Sequence, residues 1–301
     1  MPERVGFIGL GNMGGRMTRC LVTAGHEVVG YDPDAERVTA AGARSADSPA
    51  AVTAEAEVVL LSLPDSPVVE RVVRGDDGVL GAARPGQVIV DLSTASPPST
   101  QAIHAELAEK GAEYLDAGIS GGAAAAEKGT LTLMTGGSED ALERVRPILD
   151  AFSAKIFHMG ASGSGHVAKL LNNFLNGVSL SATAEVMVAA KKAGLELHTF
   201  LDVLNASSGV NFATLNRFPK IVDGDYLEGG LSSDLMMKDL LLYMDFVQSI
   251  GTPSINAAGS VASFGVAARL GYGDQISNRV VDALGDLAGG IRLHDPTTPQ
   301  D

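Results

Sequence analysis

The feature that most constrains the fold is a glycine-rich turn that follows an apolar run near the start of the chain. The run covers Val5–Ile8, and the turn has the pattern Gly-x-Gly-x-x-Gly, formed by Gly9, Leu10, Gly11, Asn12, Met13 and Gly14. The first glycine permits a tight turn, the second lets the backbone approach a pyrophosphate, and the third lets helix and strand pack closely. Free N–H groups at the start of the next helix favour phosphate binding. The turn therefore predicts a dinucleotide site.

The residues after this turn alternate between short apolar runs and helical segments. Strands are predicted at Val5–Ile8, Glu27–Tyr31, Val58–Leu63, Gln87–Asp91, Glu113–Ala117, Thr130–Thr135 and Lys155–His158. Helices are predicted at Asn12–Ala24, Pro67–Arg74 and Pro97–Lys110, and Ser138 is predicted to cap another helix. The run at 58–63 is nearly all apolar, which is typical of a central parallel strand. This alternation predicts an α/β Rossmann domain over residues 1–161, with a doubly wound, mostly parallel sheet.

The second half of the chain has a different pattern. Between His166 and Ala193 apolar residues recur at helical spacing without a proline, which predicts one helix of about 30 residues. A helix this long is unusual in one domain, so we expect it to join the Rossmann domain to an all-α domain, residues 162–301. Further helices are predicted at His198–Ala206, Ser233–Ser249, Ile255–Leu270 and Gln275–Leu287, with a frayed tail at Asp295–Asp301.

Charge and cysteine content exclude several classes of partner. A net charge of −14 disfavours binding to nucleic acid and to anionic membrane surfaces. The single cysteine, Cys20, cannot form a disulfide framework or a cysteine zinc set, and we predict no metal site. No long apolar run and no secretory leader are recognised, so we expect a cytoplasmic protein. An anionic small substrate would need a locally positive pocket.

An acidic residue at the end of the second predicted strand bears on the choice of cofactor. Asp32 lies 18 residues after Gly14, where a carboxylate can accept hydrogen bonds from the adenosine ribose and would repel the 2′-phosphate of NADP. We therefore predict NAD, with NADP less favoured, and Arg37 weakens this prediction because its guanidinium can reach a 2′-phosphate. A turn aspartate before Pro33 is the alternative interpretation.

Three further groups of residues are candidates for substrate and nicotinamide binding. Lys169 and Asn173 are four residues apart, so both project from one face of the long predicted helix, and a lysine near apolar walls can act as a general acid/base. The segment Ser120-Gly121-Gly122 follows a strand and can form an anion-binding nest. Lys238 precedes Asp239 on a later helix. Each group also has an alternative interpretation. Lys169 is then a surface lysine whose stem packs on the helix while its amine reaches solvent, 120–122 is an ordinary glycine turn, and 238–239 is an exposed charge pair.

Together these motifs resemble the β-hydroxyacid dehydrogenase family, which includes 3-hydroxyisobutyrate dehydrogenase and tartronate semialdehyde reductase. The resemblance covers nearly the whole chain. Four segments carry it, namely residues 6–14, residues 116–122 together with 129–131, the pattern Gly163-x-Gly165-x-x-x-Lys169-x-x-Asn172-Asn173, and Lys238-Asp239-Leu240. It implies that Lys169 is the catalytic lysine and that Ser120, Gly121, Gly122 and Asn173 bind substrate. It implies cofactor contacts near the nicotinamide for Leu63, Pro64, Thr94 and Lys238. It also implies a homodimer or homotetramer formed through the helical domain.

This sequence departs from the family pattern around the expected substrate. The family usually has Pro-Val where this chain has Gly118-Ile119, and a glycine where Ala125 stands. Phe212 occupies a position where an aromatic residue, commonly tryptophan, occurs. These differences leave the side group of the substrate undefined.

The sequence thus predicts an NAD-dependent oxidoreductase that interconverts a small 3-hydroxy acid, such as 3-hydroxyisobutyrate, and its semialdehyde. Lys169 is the predicted general acid/base, and the predicted partner is a small carboxylate substrate. Two alternatives stay open. One is an imine or aldehyde reductase on the same scaffold, which the lysine disfavours because imine-reducing relatives generally lack it. The other is a non-catalytic NAD-binding regulatory protein.

Overall fold

The sheet predicted from the sequence is confirmed. The computed structural model describes residues 4–294 and contains one eight-stranded sheet with the strand order β3-β2-β1-β4-β5-β6-β7-β8. The strands are β1 Arg4–Ile8, β2 Glu27–Tyr31, β3 Arg44–Ser45, β4 Val58–Leu61, β5 Val88–Asp91, β6 Glu113–Ser120, β7 Leu131–Gly136 and β8 Ser153–Gly160. Neighbouring strands are parallel except β6 and β7. The order reverses between β1 and β4, which is the switch point where such sheets bind ligands.

Helices connect the strands of this sheet. They are α1 Gly14–Thr23, α2 Ala35–Ala40, α3 Pro49–Glu55, α4 Ser66–Arg74, α5 Val79–Ala82, α6 Pro97–Ala108, α7 Gly122–Glu127 and α8 Glu139–Leu149. Local sequence explains where several of them begin. Ser138 caps α8 by accepting the N–H of Ala141, as predicted, and Asp65 caps α4 by accepting the N–H of Val68.

The sheet is covered on both faces by apolar side chains. One cluster contains Phe7, Met17 and Leu60 and extends to α8, while the other contains Ile8, Val59 and Tyr114. All six side chains are fully buried. Alternate residues of β1 and β4 therefore point into different cores, which explains why these strands are apolar throughout.

The long helix predicted from the sequence is α9, Ser164–Lys192, with 29 residues. The helices that follow are α10 Leu197–Asn205, α11 Phe212–Asn216, α12 Phe218–Ile221, α13 Ser233–Ser249, α14 Ala257–Ala267 and α15 Val280–Leu287. A π turn at Ala268–Tyr272 and a 3-10 turn at Ser277–Arg279 interrupt the last two predicted helices. Buried residues such as Leu180, Met187, Phe218, Met236 and Phe264 form a separate apolar core here.

The chain divides into two compact units between Lys169 and Leu170, inside α9. The expected domain boundary after residue 161 stays a prediction, and the expected frayed tail lies outside the described residues. Within residues 4–294, none of the helices combines the length and the apolar character needed to cross a membrane.

Candidate active site

The glycine turn after β1 has the geometry that its sequence predicts. Gly9 has a φ of +88°, a conformation that side chains with a Cβ rarely adopt. A Cβ on Gly14 would lie 2.9 Å from Phe7 Cε1 and would overlap the carbonyl oxygen of Gly9. At Gly11, by contrast, the nearest atom to an added Cβ is a guanidinium nitrogen of Arg37, 3.9 Å away. The backbone at Gly11 is therefore open to a phosphate, while Gly9 and Gly14 are required by packing.

Asp32 joins this turn to the end of β2. Its Oδ2 accepts the N–H of Leu10 at 2.9 Å, and its Oδ1 accepts the N–H of Asp34 at 3.0 Å. The Arg37 guanidinium lies 3.9 Å from Asp32 and 3.1 Å from Asp34. Arg37 is thus engaged by two carboxylates, which reduces its availability for a 2′-phosphate.

A cavity of about 350 Å³ lies beside the turn. Its lining includes Leu10, Gly11, Asn12, Arg16, Arg19 and Arg37. Arg16 and Arg19 both contact the carboxylate of Glu127, at 3.1 and 2.9 Å. The lining therefore carries three guanidinium groups, each of which also contacts a neighbouring carboxylate. Arg16 and Arg19 were not predicted as site residues, although both lie on the helix that directly follows the turn.

The loops after β4 and β5 meet at the carboxyl edge of the sheet. The hydroxyl of Ser93 accepts the N–H of Leu63 at 3.0 Å, and the N–H of Ser93 donates to Asp91 at 3.0 Å. These bonds hold Leu63-Pro64 and Thr94 on neighbouring loops next to the switch point. Their predicted contact with nicotinamide stays a prediction, but they lie at the edge where α/β sheets bind ligands.

The segment predicted to bind a carboxylate lies at the end of β6. Ser120 is its last residue, and Gly121 and Gly122 have φ values of +130° and +68°. A Cβ at Gly121 would lie 2.5 Å from the Cβ of Ala125, so the alanine that replaces the family's glycine packs directly against this turn. Both glycines are required by their backbone conformation, and their successive N–H groups are suited to an anion.

Lys169 is almost buried, with 9% of its surface exposed, and lies in the second turn of α9. A Cβ at Gly118 would lie 2.9 Å from its Cγ and closer still to its Cβ. The aliphatic stem of Lys169 therefore rests on Gly118 of β6, two residues before Ser120. The glycine that stands in place of the family's proline permits this close contact.

A buried carboxylate fixes the start of α9 to the sheet. Asp116 of β6 is fully buried, and its Oδ1 and Oδ2 accept the N–H groups of Gly163 and His166 at 2.7 and 2.8 Å. A Cβ at Gly165 would lie 2.7 Å from the carbonyl oxygen of Asp116, so only glycine allows this approach. The first turn of α9, three residues before Lys169, is thereby held against β6.

Further buried polar groups support this helix start. His166 Nδ1 lies 2.7 Å from the hydroxyl of Thr100, and the hydroxyl of Tyr114 donates to Asp91 at 2.8 Å. Burial and the neighbouring Asp91 carboxylate raise the pKa of Tyr114 well above its usual value. Tyr114 thus stays a neutral hydrogen-bond donor, and these residues act as structural support.

In the C-terminal unit, Asn173 and Lys238 share one acidic partner. The side chain of Asn173 donates to Asp239 Oδ2 at 2.5 Å, and Lys238 Nζ lies 3.0 Å from Asp239 Oδ1. Asp239 is 2% exposed, so its charge is balanced by these contacts instead of by water. In the sequence, Asp239 belongs to the Lys238-Asp239-Leu240 motif but has no predicted function. Among residues 4–294, no cluster of histidine, cysteine and acidic side chains could hold a metal ion.

Two family models together match most of the chain. The model described as the NAD binding domain of 6-phosphogluconate dehydrogenase matches residues 4–160, so this part of the chain is an NAD-binding domain. The model described as the NAD-binding domain of NADP-dependent 3-hydroxyisobutyrate dehydrogenase matches residues 163–284.

Similar proteins of known activity cover the same length. The chain is 36% identical to 2-(hydroxymethyl)glutarate dehydrogenase of Eubacterium barkeri, over 95% of this chain and 96% of that protein. It is 35% identical to NAD-dependent L-serine dehydrogenase of Pseudomonas aeruginosa, over 99% of this chain and 100% of that protein. The structure of Mycobacterium tuberculosis 3-hydroxyisobutyrate dehydrogenase with L-serine superposes with a TM-score of 0.86 at 34% identity, covering 94% of this chain and 99% of that one.

Proposed function

The chain belongs to the β-hydroxyacid dehydrogenase family, and from that premise we propose that it oxidises small 3-hydroxy acids to their semialdehydes with NAD. The observation that carries the proposal is the position of Lys169. This lysine is nearly buried, its stem packs on Gly118 of β6, and the same strand ends at the predicted carboxylate-binding residue Ser120. A proton-transferring amine and an anion-binding turn are what oxidation of a hydroxy acid requires.

The similar proteins indicate the substrate class. 3-Hydroxyisobutyrate, L-serine and 2-(hydroxymethyl)glutarate are all 3-hydroxypropanoates that differ only in the substituent on carbon 2. The shared part is a primary alcohol next to a carbon that bears a carboxylate. We assign this chain substrates of the form HOCH₂–CHR–COO⁻, which become OHC–CHR–COO⁻ with reduction of NAD⁺ to NADH and release of one proton.

The residues of this chain have separate functions in that reaction. When bound, NAD supplies the hydride acceptor. Lys169 takes the proton of the substrate hydroxyl, and in the reverse direction it returns that proton. The hydroxyl of Ser120 and the N–H groups of Gly121 and Gly122 bind the substrate carboxylate. Asn173 donates one side-chain N–H to Asp239, and its second N–H remains for the substrate.

The proposed cofactor contacts of the N-terminal unit are made by the glycine turn, by Asp32 and by the loops after β4 and β5. Gly9–Gly14 bind the pyrophosphate, Asp32 binds the adenosine ribose, and Leu63, Pro64 and Thr94 border the nicotinamide. The nicotinamide contact of Lys238 stays a prediction from the family resemblance. The ion pairs of Arg37 with Asp34 and Asp32 support NAD over NADP, because these carboxylates compete with a 2′-phosphate for this guanidinium.

A substrate panel with both cofactors tests the proposal. We expect NADH formation with 2-substituted 3-hydroxypropanoates and a higher kcat/KM with NAD than with NADP. Cyclic imines with NADH or NADPH serve as the opposing arm, and 2-hydroxy acids control for the position of the alcohol. Faster reduction of imines would favour the imine reductase alternative, and NAD binding without turnover of any alcohol would favour a regulatory protein. A preference for NADP would contradict the interpretation of Asp32.

The helical domain is the proposed site of homodimer or homotetramer formation. Three large apolar side chains of α9 are exposed, namely Leu171, Leu175 and Val186, with exposed fractions of 42, 65 and 43%. With Ala182 they recur at helical spacing, which is typical of a helix face covered by a second chain. The predicted cytoplasmic location stays a prediction.

Replacing Leu175 with lysine tests this assembly. We expect the wild-type protein to sediment as a dimer or tetramer, and the Leu175→Lys protein to shift toward monomer because a charge is buried in the interface. Ile255→Lys, at a residue 84% exposed, is the matched control and should leave the sedimentation coefficient unchanged. A monomeric wild-type protein would contradict the proposed assembly.

A further inference from the structure

Arg217, between α11 and α12, holds a positive charge among neutral partners. Its guanidinium donates to Asn278 Oδ1 at 2.8 Å and to Asn176 Oδ1 at 2.9 Å. It also lies 5.8 Å from the ring centroid of Phe212, which is 59% exposed. The guanidinium is therefore oriented by two amides and faces an accessible aromatic ring.

The charge of Arg217 is not balanced within its unit. No carboxylate of residues 4–294 lies within 4.0 Å of it, whereas Arg279 and Arg292 of the same unit contact Asp282 and Asp286 at 3.0 and 2.5 Å. Burial lowers the pKa of Arg217 to about 10, so the side chain remains charged at neutral pH. Buried charges in proteins are normally paired. Because a guanidinium has five N–H donors and the amides use two, Arg217 keeps the capacity to bind an anion.

Arg217 is attached to the face of α9 that carries the proposed reactive residues. Asn176 follows Lys169 by seven residues and Asn173 by three. At 3.6 residues per turn, these three positions fall within an arc of about 60° on the helix surface. Asn176 lies about 4.5 Å beyond Asn173 along the helix axis. The guanidinium is thus bound one turn further along the same face.

We propose that Arg217 determines specificity by binding a second carboxylate, carried by the substituent on carbon 2 of the substrate. The preferred substrate is then a dicarboxylic 3-hydroxy acid, and a substrate with an ammonium group on carbon 2 is disfavoured by repulsion. A carboxylate forms paired hydrogen bonds with a guanidinium that neutral amides have already oriented. This assignment rests on the proposed function, since it names the side group that the proposed active site accepts.

The experiment compares substrates whose substituents differ in charge. 2-(Hydroxymethyl)glutarate carries a carboxylate, the analogue with a carboxamide in place of that group is a neutral isostere, and L-serine carries an ammonium group. In the wild-type full-length enzyme we expect kcat/KM for the carboxylate to exceed that for the carboxamide by about 10- to 100-fold, mainly through KM. In Arg217→Gln this ratio should fall to near one, and Arg217→Lys should retain part of it.

Matched controls separate specificity from stability. Arg269→Gln removes an exposed positive charge of the same unit and should keep the wild-type ratio. Glutarate should inhibit the wild-type enzyme more strongly than butyrate, and Arg217→Gln should abolish that difference. Equal losses of kcat/KM on both substrates in Arg217→Gln would show a structural role and overturn the proposal. A wild-type preference for L-serine or 3-hydroxyisobutyrate would overturn it while the proposed dehydrogenase activity stands. Absence of turnover with every hydroxy acid would overturn both.

Discussion

Replacing Lys169 with methionine is expected to lower kcat for 3-hydroxy acid oxidation by at least about 100-fold, the usual contribution of a general acid/base. Methionine keeps an unbranched stem against Gly118 but removes the amine, so the packing at this contact should persist. Steady-state NADH formation measures kcat, and quenching of NADH fluorescence measures cofactor affinity. The affinity should change little, because the cofactor-binding turn lies at residues 9–14.

Two further measurements make this prediction specific. The wild-type kcat/KM should rise with pH as the base loses its proton, and Lys169→Met should lack that rise. Lys155→Met removes an exposed lysine of β8 in the same unit and should leave kcat and its pH dependence unchanged. Near-normal turnover by Lys169→Met would exclude this lysine as the proton-transferring group.

The strands and helices of the N-terminal unit were predictable where the local pattern of apolar and turn residues is clear. The boundaries of β2 match the prediction, and β1 begins one residue before the predicted run. Both strands were predictable because a short apolar run bounded by turn residues favours a buried strand. The position of α9 followed from helical periodicity sustained over many turns. The antiparallel direction of β7 was not predicted, since an apolar alternation is the same for either strand direction.

The parts of the candidate site that the sequence did not reveal depend on distant contacts. Asp116 binds N–H groups 47 and 50 residues later in the chain, and Asp239 is bound by Asn173, 66 residues earlier. Arg217 resembles any helix-terminal arginine until its partners are seen to be amides. A carboxylate in a strand or a basic residue at a turn carries no local pattern that identifies its partner.

The second large effect is expected from replacing Asp116, because its carboxylate fixes the start of α9, the helix that carries Lys169. In Asp116→Asn the side-chain volume is kept, but one of the two helix N–H groups then faces an NH₂ group, and the negative charge at the helix start is lost. Loss of a charged, buried hydrogen bond should lower the free energy of unfolding by about 2–3 kcal/mol. The thermal midpoint should therefore fall by roughly 5 °C or more.

The catalytic consequence distinguishes positioning of Lys169 from stability alone. His166 is one of the two bound N–H donors and lies three residues before Lys169, so a shifted helix start should displace the amine and lower kcat by about tenfold, since small misplacements of a reacting group slow the reaction strongly. Ser138→Ala removes the cap of α8 in the same unit and should lower stability by about 1 kcal/mol without changing kcat. Differential scanning calorimetry and steady-state kinetics, both below the unfolding transition, measure the two effects separately. A protein with the stability loss but wild-type kcat would show that Asp116 stabilises the fold without positioning Lys169.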